Sequence, residues 1–151
     1  MALSEISSQQ SDPTENTMKQ VNQFLDYIWT HPDAIIRYRA SDMILNVLSD
    51  ASYLSAPKAR SRPGGYFFLG SSPRDGDLIK LNGAIHVTCT ILKLVAASAA
   101  EAELGALFLN AQEAKVFRLV LAELGQPQPP TPIHINNTTT VGIIYYTIKR
   151  Q

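Results

Sequence analysis

Apolar positions along the N-terminal part of the chain change from no regular spacing to a helical spacing. Residues 1–16 are rich in Ser, Gln, Asp and Glu, so we expect a disordered tail. From Thr17 to Thr30 the apolar residues recur on one face, which predicts a helix that ends at His31-Pro32-Asp33. The residues of that face are Val21, Phe24, Leu25 and Ile28.

Short apolar runs bounded by turn residues predict a series of strands after this helix. A loop is expected at Ser55–Arg62, and Asp75-Gly76 indicates a turn. The predicted strands are Ile35–Tyr38, Met43–Asp50, Gly64–Gly70 and Ala84–Thr90.

A long helix is predicted to begin after Ser98, because Ser98 and Glu101 have the spacing of a capping box. We expect a bend near Asn110 and an end at Gly125, which is followed by several prolines. Its apolar stripe consists of Leu104, Leu107, Phe108, Val116, Leu119, Val120 and Leu124. The remaining predicted elements are a short strand at Pro132–Ile135 and a weaker helix at Thr138–Ile148.

This order of elements predicts an α/β fold. Three successive antiparallel strands, a helical crossover and a parallel fourth strand form a mixed sheet with helices on its faces. The length of 151 residues and the apolar share of 45% suit one such domain.

Charge and cysteine content narrow the possible functions. Thirteen basic and thirteen acidic residues balance, which argues against a general nucleic-acid coat protein but leaves room for a local basic groove. Cys89 is the only cysteine, so no intramolecular disulfide can form. No apolar run is long enough to span a membrane.

Three polar positions are candidates for chemistry, and each has a simpler interpretation when taken alone. Asp50 follows an apolar run, where a carboxylate must be solvated, paired or bound to a cation, but aspartate also forms turns. Glu103 lies near a helix start and could simply interact with the helix dipole. The pair Asn136-Asn137 could simply cap a helix.

Considered together, these positions belong to an ordered set of motifs. The set is Ser49–Tyr53, Gly64–Gly70, Ser98–Leu104 and Ile133–Asn137. In this order and spacing the chain resembles the ribonuclease H domain of copia-type LTR retrotransposon reverse transcriptase polyproteins, from about Thr17 to the C-terminus. The resemblance implies a ribonuclease H-like sheet at residues 35–151, C-terminally truncated with its fifth strand missing. Residues 17–34 would then be a connecting helix from an upstream polymerase linker.

The resemblance also implies a catalytic site. Members of the family hydrolyse RNA in RNA–DNA hybrids with two Mg²⁺ ions, which carboxylates hold. Asp50 and Glu103 match the family's first two acidic residues and are the expected metal ligands, while Asn136 stands where an aspartate is expected. A unit charge about 2.1 Å from a dication is worth roughly 15 kcal/mol at an effective dielectric near 20, and desolvation offsets most of it. Loss of even the small net remainder, when an amide replaces the carboxylate, would greatly weaken the second metal site. We therefore expect the activity to be impaired.

The expected partners follow from the same resemblance. They are an RNA–DNA hybrid and the polymerase domain of the same polyprotein, in an intracellular location such as a cytoplasmic virus-like particle. Lys58, Arg60 and Arg62 could contact phosphates, although a solvated loop explains them equally well. The alternatives are a non-catalytic retroelement relic, or a module that binds nucleic acid or self-associates through an exposed sheet edge.

Overall fold

The structure is a computed structural model, and it describes residues 2–71 and 79–148. The predicted turn at Asp75-Gly76 lies outside these residues. The chain divides into two compact units, Met1–Ile36 and Arg37–Gln151. Within the described ranges, no helix combines the length and the apolar character needed to cross a bilayer.

The first unit consists of two helices, α1 (Ala2–Ser8) and α2 (Glu15–Thr30). Residues 2–8, which we expected to belong to a disordered tail, therefore form a helix instead. Thr14 caps α2, because its hydroxyl accepts from the Thr17 N–H and its own N–H donates to the Thr17 hydroxyl. The Thr17 hydroxyl also donates to the Gln9 side chain, at 2.7 Å. These polar contacts order a segment that has little apolar surface to bury.

The described residues of the second unit form a four-stranded mixed sheet with two helices, which confirms the predicted α/β class. Its strands lie in the order β3-β2-β1-β4; β1 pairs antiparallel with β2 and parallel with β4, and β2 pairs antiparallel with β3. The elements are β1 (Ile44–Ala56), β2 (Arg60–Gly70), β3 (Ala84–Cys89), α3 (Ala99–Glu123), β4 (Ile133–His134) and α4 (Thr138–Ile148).

The connection between β1 and β2 is much tighter than predicted. The prediction of a loop at Ser55–Arg62 is wrong, because both strands extend into this range and only residues 57–59 form the turn. Lys58 and Ala59 both adopt positive φ, at 61° and 49°, which reverses the chain within these few residues. Neither residue is a glycine, so the sequence carries no usual signal for such a turn.

The short strand predicted at Ile35–Tyr38 is also wrong. Ile35 and Ile36 are exposed and belong to no strand. Side chains hold the backbone that follows: the Arg39 N–H donates to Asn82 Oδ1 at 2.7 Å, and the Tyr38 hydroxyl donates to the Ala84 carbonyl oxygen at 2.8 Å. The Asn82 side chain thus forms hydrogen bonds with this backbone, where the apolar pattern had predicted pairing with another strand.

Helix α3 runs without interruption through Asn110, and it buries a different face from the predicted apolar stripe. Phe108, Val116 and Leu119 are more than half exposed. The buried residues of α3 are Ala102, Glu103, Ala106, Asn110, Ala114 and Leu121. The sheet presents large side chains to this helix, so small residues allow the closest packing. The core consists of Leu45, Val47, Phe67, Ala114 and Leu121, with Leu69, Phe117 and Ile133 at its margin.

Candidate functional site

Asp50 lies in the interior of β1, whereas the sequence placed it at the end of a strand. Its cross-strand partner on β2 is Gly64. On the other side, β1 pairs with β4 at Val47 and Leu48 alone. Asp50 therefore follows the last pair with β4, where that edge of β1 opens. Its side chain is exposed, and Oδ1 accepts from the Ala51 N–H at 2.9 Å.

Glu103 lies at the start of the second turn of α3, and its side chain is only 5% exposed. The beginning of the helix is fixed by Ser98, whose hydroxyl accepts from the Glu101 N–H at 3.1 Å. The Glu101 carboxylate accepts from the Ala97 N–H at 2.6 Å, one residue before the position that a capping box uses. Ser98 and Glu101 thus stabilise the start of the helix, whereas Glu103 is buried.

The structure brings Glu103 and Asp50 together. Burial raises the pKa of Glu103, and the charge of Asp50 and a hydrogen bond to it raise this pKa further, while a hydrogen bond from the Ala51 N–H lowers it. Glu103 Oε2 is buried and has no hydrogen-bond partner. A buried, unpartnered carboxylate oxygen beside a second carboxylate is unfavourable unless a proton or a cation neutralises it.

This pair fits a hard divalent cation. Mg²⁺ prefers carboxylate oxygens, and one oxygen of Glu103 is buried without a partner beside the exposed carboxylate of Asp50. Within residues 2–71 and 79–148, no cluster of three or more His, Cys, Asp or Glu side chains could hold a metal. Among these residues, the candidate site therefore contains two acidic side chains, Asp50 and Glu103.

Asn136 lies in the segment between β4 and α4. Because β1 and β4 are parallel and Leu48 pairs with His134, Asn136 is two residues past that pair, as Asp50 is. Its side chain is exposed. The neighbouring Asn137 has a different role, since its Oδ1 accepts from the Thr140 N–H at 3.0 Å and caps α4. The helix-cap interpretation is thus confirmed for Asn137.

The three basic candidates lie along the β1–β2 hairpin, and Arg62 pairs with Ser52, two residues from Asp50. Arg62 is 4% exposed within β2, so the prediction that it lies in a solvated loop is wrong. Lys58 is exposed at the hairpin turn, and Arg60 is half-buried at the start of β2. The strand β1 continues for six residues beyond Asp50 to Ala56, a span of at most roughly 20 Å, and its pairing is irregular between Ser52 and Ala56. A phosphate contact at this turn would therefore be remote from the carboxylate pair.

Asn110 is a buried polar residue of α3, and the sequence predicted only a bend near it. It is 2% exposed and forms hydrogen bonds with three strands. A sequence signal for it exists: Ala102, Ala106, Asn110 and Ala114 recur every four residues. An amide within a stripe of alanines on one helix face indicates a specific polar contact beneath it.

Comparisons with known proteins add no family to this description: no family model, curated protein or solved structure matches the chain.

Proposed function

We propose that this chain carries a ribonuclease H-like domain of retroelement origin. Its ancestral reaction is hydrolysis of the RNA strand in RNA–DNA hybrids with two magnesium ions, and that activity is impaired here. The observation that carries the proposal is the pairing of Asp50 with the buried carboxylate of Glu103, one oxygen of which has no hydrogen-bond partner. The order of elements supports it, since three antiparallel strands, a crossover helix and a parallel strand are what the resemblance implies.

The residues of the site would have distinct roles. When bound, the magnesium ions activate a water molecule and stabilise the leaving oxygen. Asp50 is exposed, so its carboxylate can hold an ion that also faces the substrate. Glu103 reaches the same place from α3 and supplies an oxygen with no competing hydrogen bond. Asn136 contributes at most a neutral amide oxygen, which leaves the second ion without the charge it needs.

Magnesium titration of four proteins tests this proposal: the native chain, Asn136→Asp, Asn137→Asp and Asn136→Asp with Asp50→Asn. We expect weak binding by the native chain and at least about tenfold tighter binding by Asn136→Asp, a gain of about 1.4 kcal/mol. Asn137→Asp is the matched control, because it adds the same charge one residue away at a helix cap, where aspartate is well tolerated. The additional Asp50→Asn change should remove the gain.

Two results would contradict the proposal. If folded Asn136→Asp binds magnesium no better than Asn137→Asp does, position 136 is not a ligand position. If the native protein cleaves a labelled RNA–DNA hybrid efficiently, and Asp50→Asn abolishes the cleavage, the site is correct but the argument for impairment is wrong.

A second candidate function is self-association, which the sheet edge favours. Strand β4 has only two residues and pairs with β1 on one side; within the described ranges no strand pairs with its other side. Open strand edges can pair with another chain. Sedimentation equilibrium should then show an apparent mass that rises with protein concentration, and a constant monomer mass would contradict this candidate.

A further inference from the structure

The Asn110 side chain is the most completely bonded buried polar group in the described part of α3. Its Nδ2 donates to Ser49 Oγ at 2.9 Å and to the Gly64 carbonyl oxygen at 2.9 Å. Its Oδ1 accepts from the Thr88 hydroxyl at 3.3 Å. One side chain thus connects α3 to β1, β2 and β3.

Two of these contacts lie directly beside the candidate site. Ser49 precedes Asp50 in β1, and Gly64 is the cross-strand partner of Asp50. Asn110 follows Glu103 by seven residues, which is nearly two helical turns, so both side chains face the same side of α3. The helix that carries Glu103 is therefore bonded to the two residues that surround Asp50.

We propose that Asn110 is a positioning residue that sets the register of α3 on the sheet and so places the Glu103 carboxylate against Asp50. The one buried residue of α3 between these two positions is Ala106, whose small side chain resists sliding poorly. A shift by one residue moves a helix by about 1.5 Å and rotates its side chains by about 100°. Directional hydrogen bonds from a buried amide oppose that shift, because any displacement leaves the amide unsatisfied. The biochemical importance of this role rests on the proposed function, but the geometric role does not.

A double-mutant cycle measures the positioning separately from the stability. Asp50→Asn, Glu103→Gln and the double variant are unfolded with urea, which yields the interaction free energy of the two carboxyl groups. The cycle is then repeated in an Asn110→Leu background, which preserves the side-chain size and removes the three hydrogen bonds. We expect the interaction between Asp50 and Glu103 to fall to less than half of its native value.

Leu121→Ala provides the matched control. Leu121 is buried at the opposite end of α3, so this change weakens the packing of the same helix without touching the Asn110 contacts. It should lower the stability but leave the interaction between Asp50 and Glu103 intact. If Asn110→Leu does not fold, Ser49→Ala and Thr88→Val each remove one partner of Asn110, and both should still weaken the interaction.

An interaction that is unchanged in the Asn110 variant, or in both partner variants, would overturn the positioning role and leave Asn110 as a stabilising residue only. Magnesium titration of the same variants distinguishes this failure from failure of the proposed function. A protein that binds no magnesium even with Asn136→Asp contradicts the metal site. The cycle still decides the role of Asn110 in that case, because it requires no metal.

Discussion

Gly65 of β2 is the position where a single methyl group should disturb the domain most clearly. A Cβ atom at this residue would collide most closely with Asn110 Oδ1, and it would lie 2.6 Å from Thr88 Oγ1 and 2.8 Å from Phe67 Cε2. All three atoms belong to side chains that are themselves held in place, since Phe67 is fully buried and the other two share a hydrogen bond. Gly65→Ala must therefore move the Asn110 side chain or separate α3 from the sheet.

The cost can be estimated from these contacts. Overpacking of a well-filled site costs about 1–3 kcal/mol. Displacing Asn110 from Ser49 and Gly64 leaves a buried amide unsatisfied, which costs about 1–3 kcal/mol more. Because the helix can relax in part, we expect a loss of about 3 kcal/mol, a large share of the 5–15 kcal/mol typical of a whole domain.

Urea unfolding of Gly65→Ala and Gly64→Ala checks this prediction, because the neighbouring glycine is a natural control. A Cβ at Gly64 would meet only backbone oxygens at 3.9 Å, an ordinary contact distance. Alanine also has the lower entropy cost within a strand, so Gly64→Ala should be neutral or slightly stabilising. Equal losses for the two variants would refute the packing of Asn110 against Gly65. A further test is Asn110→Ala, which should relieve part of the Gly65→Ala defect by making room for the methyl group.

Two further predictions concern charge and backbone strain. The pKa of Glu103 is raised by burial and then by Asp50, so the protein loses stability as the pH rises from the ordinary carboxyl range near pH 4 through that raised pKa. Glu103→Gln should therefore stabilise the protein at neutral pH, and the gain should vanish below the ordinary carboxyl range. Urea unfolding across this pH range measures the effect, and a gain that persists at low pH would contradict it. Ala59→Gly should stabilise the hairpin by about 0.5–1 kcal/mol, because Ala59 has a φ of 49°, which is strained for alanine and not for glycine. The control is Ala122→Gly, at an exposed position of α3, which should destabilise the protein by about 1 kcal/mol. Thermal unfolding compares the two, and a loss with Ala59→Gly would disprove the strain at the turn.

The order of the elements from β1 to α3 was predictable because these elements have strong local signals. The strands that contain Val47 and Phe67 are rich in apolar residues, and the pattern at Ser98 marks the start of α3. The turn at Lys58 and Ala59 was not predictable, because no glycine or asparagine indicates its positive φ angles. At Ile35–Tyr38 the error is the reverse, because the apolar residues predicted a strand that does not form. An apolar run becomes a strand only where a neighbouring strand can pair with it.

The face of α3 that packs on the sheet could not be found from hydrophobicity alone. The largest apolar side chains of this helix, such as Phe108, predict the wrong face because the sheet already supplies the bulk of the core. Close approach then requires alanines, and a stripe of alanines also brings polar neighbours near enough to interact. Glu103 and Asn110 belong to that small-residue face, which explains why an acidic side chain in α3 can be buried beside Asp50. Close packing through small residues thus has two effects. It makes the buried face of α3 unpredictable from hydrophobicity, and it brings together the two carboxylates on which the proposed function depends.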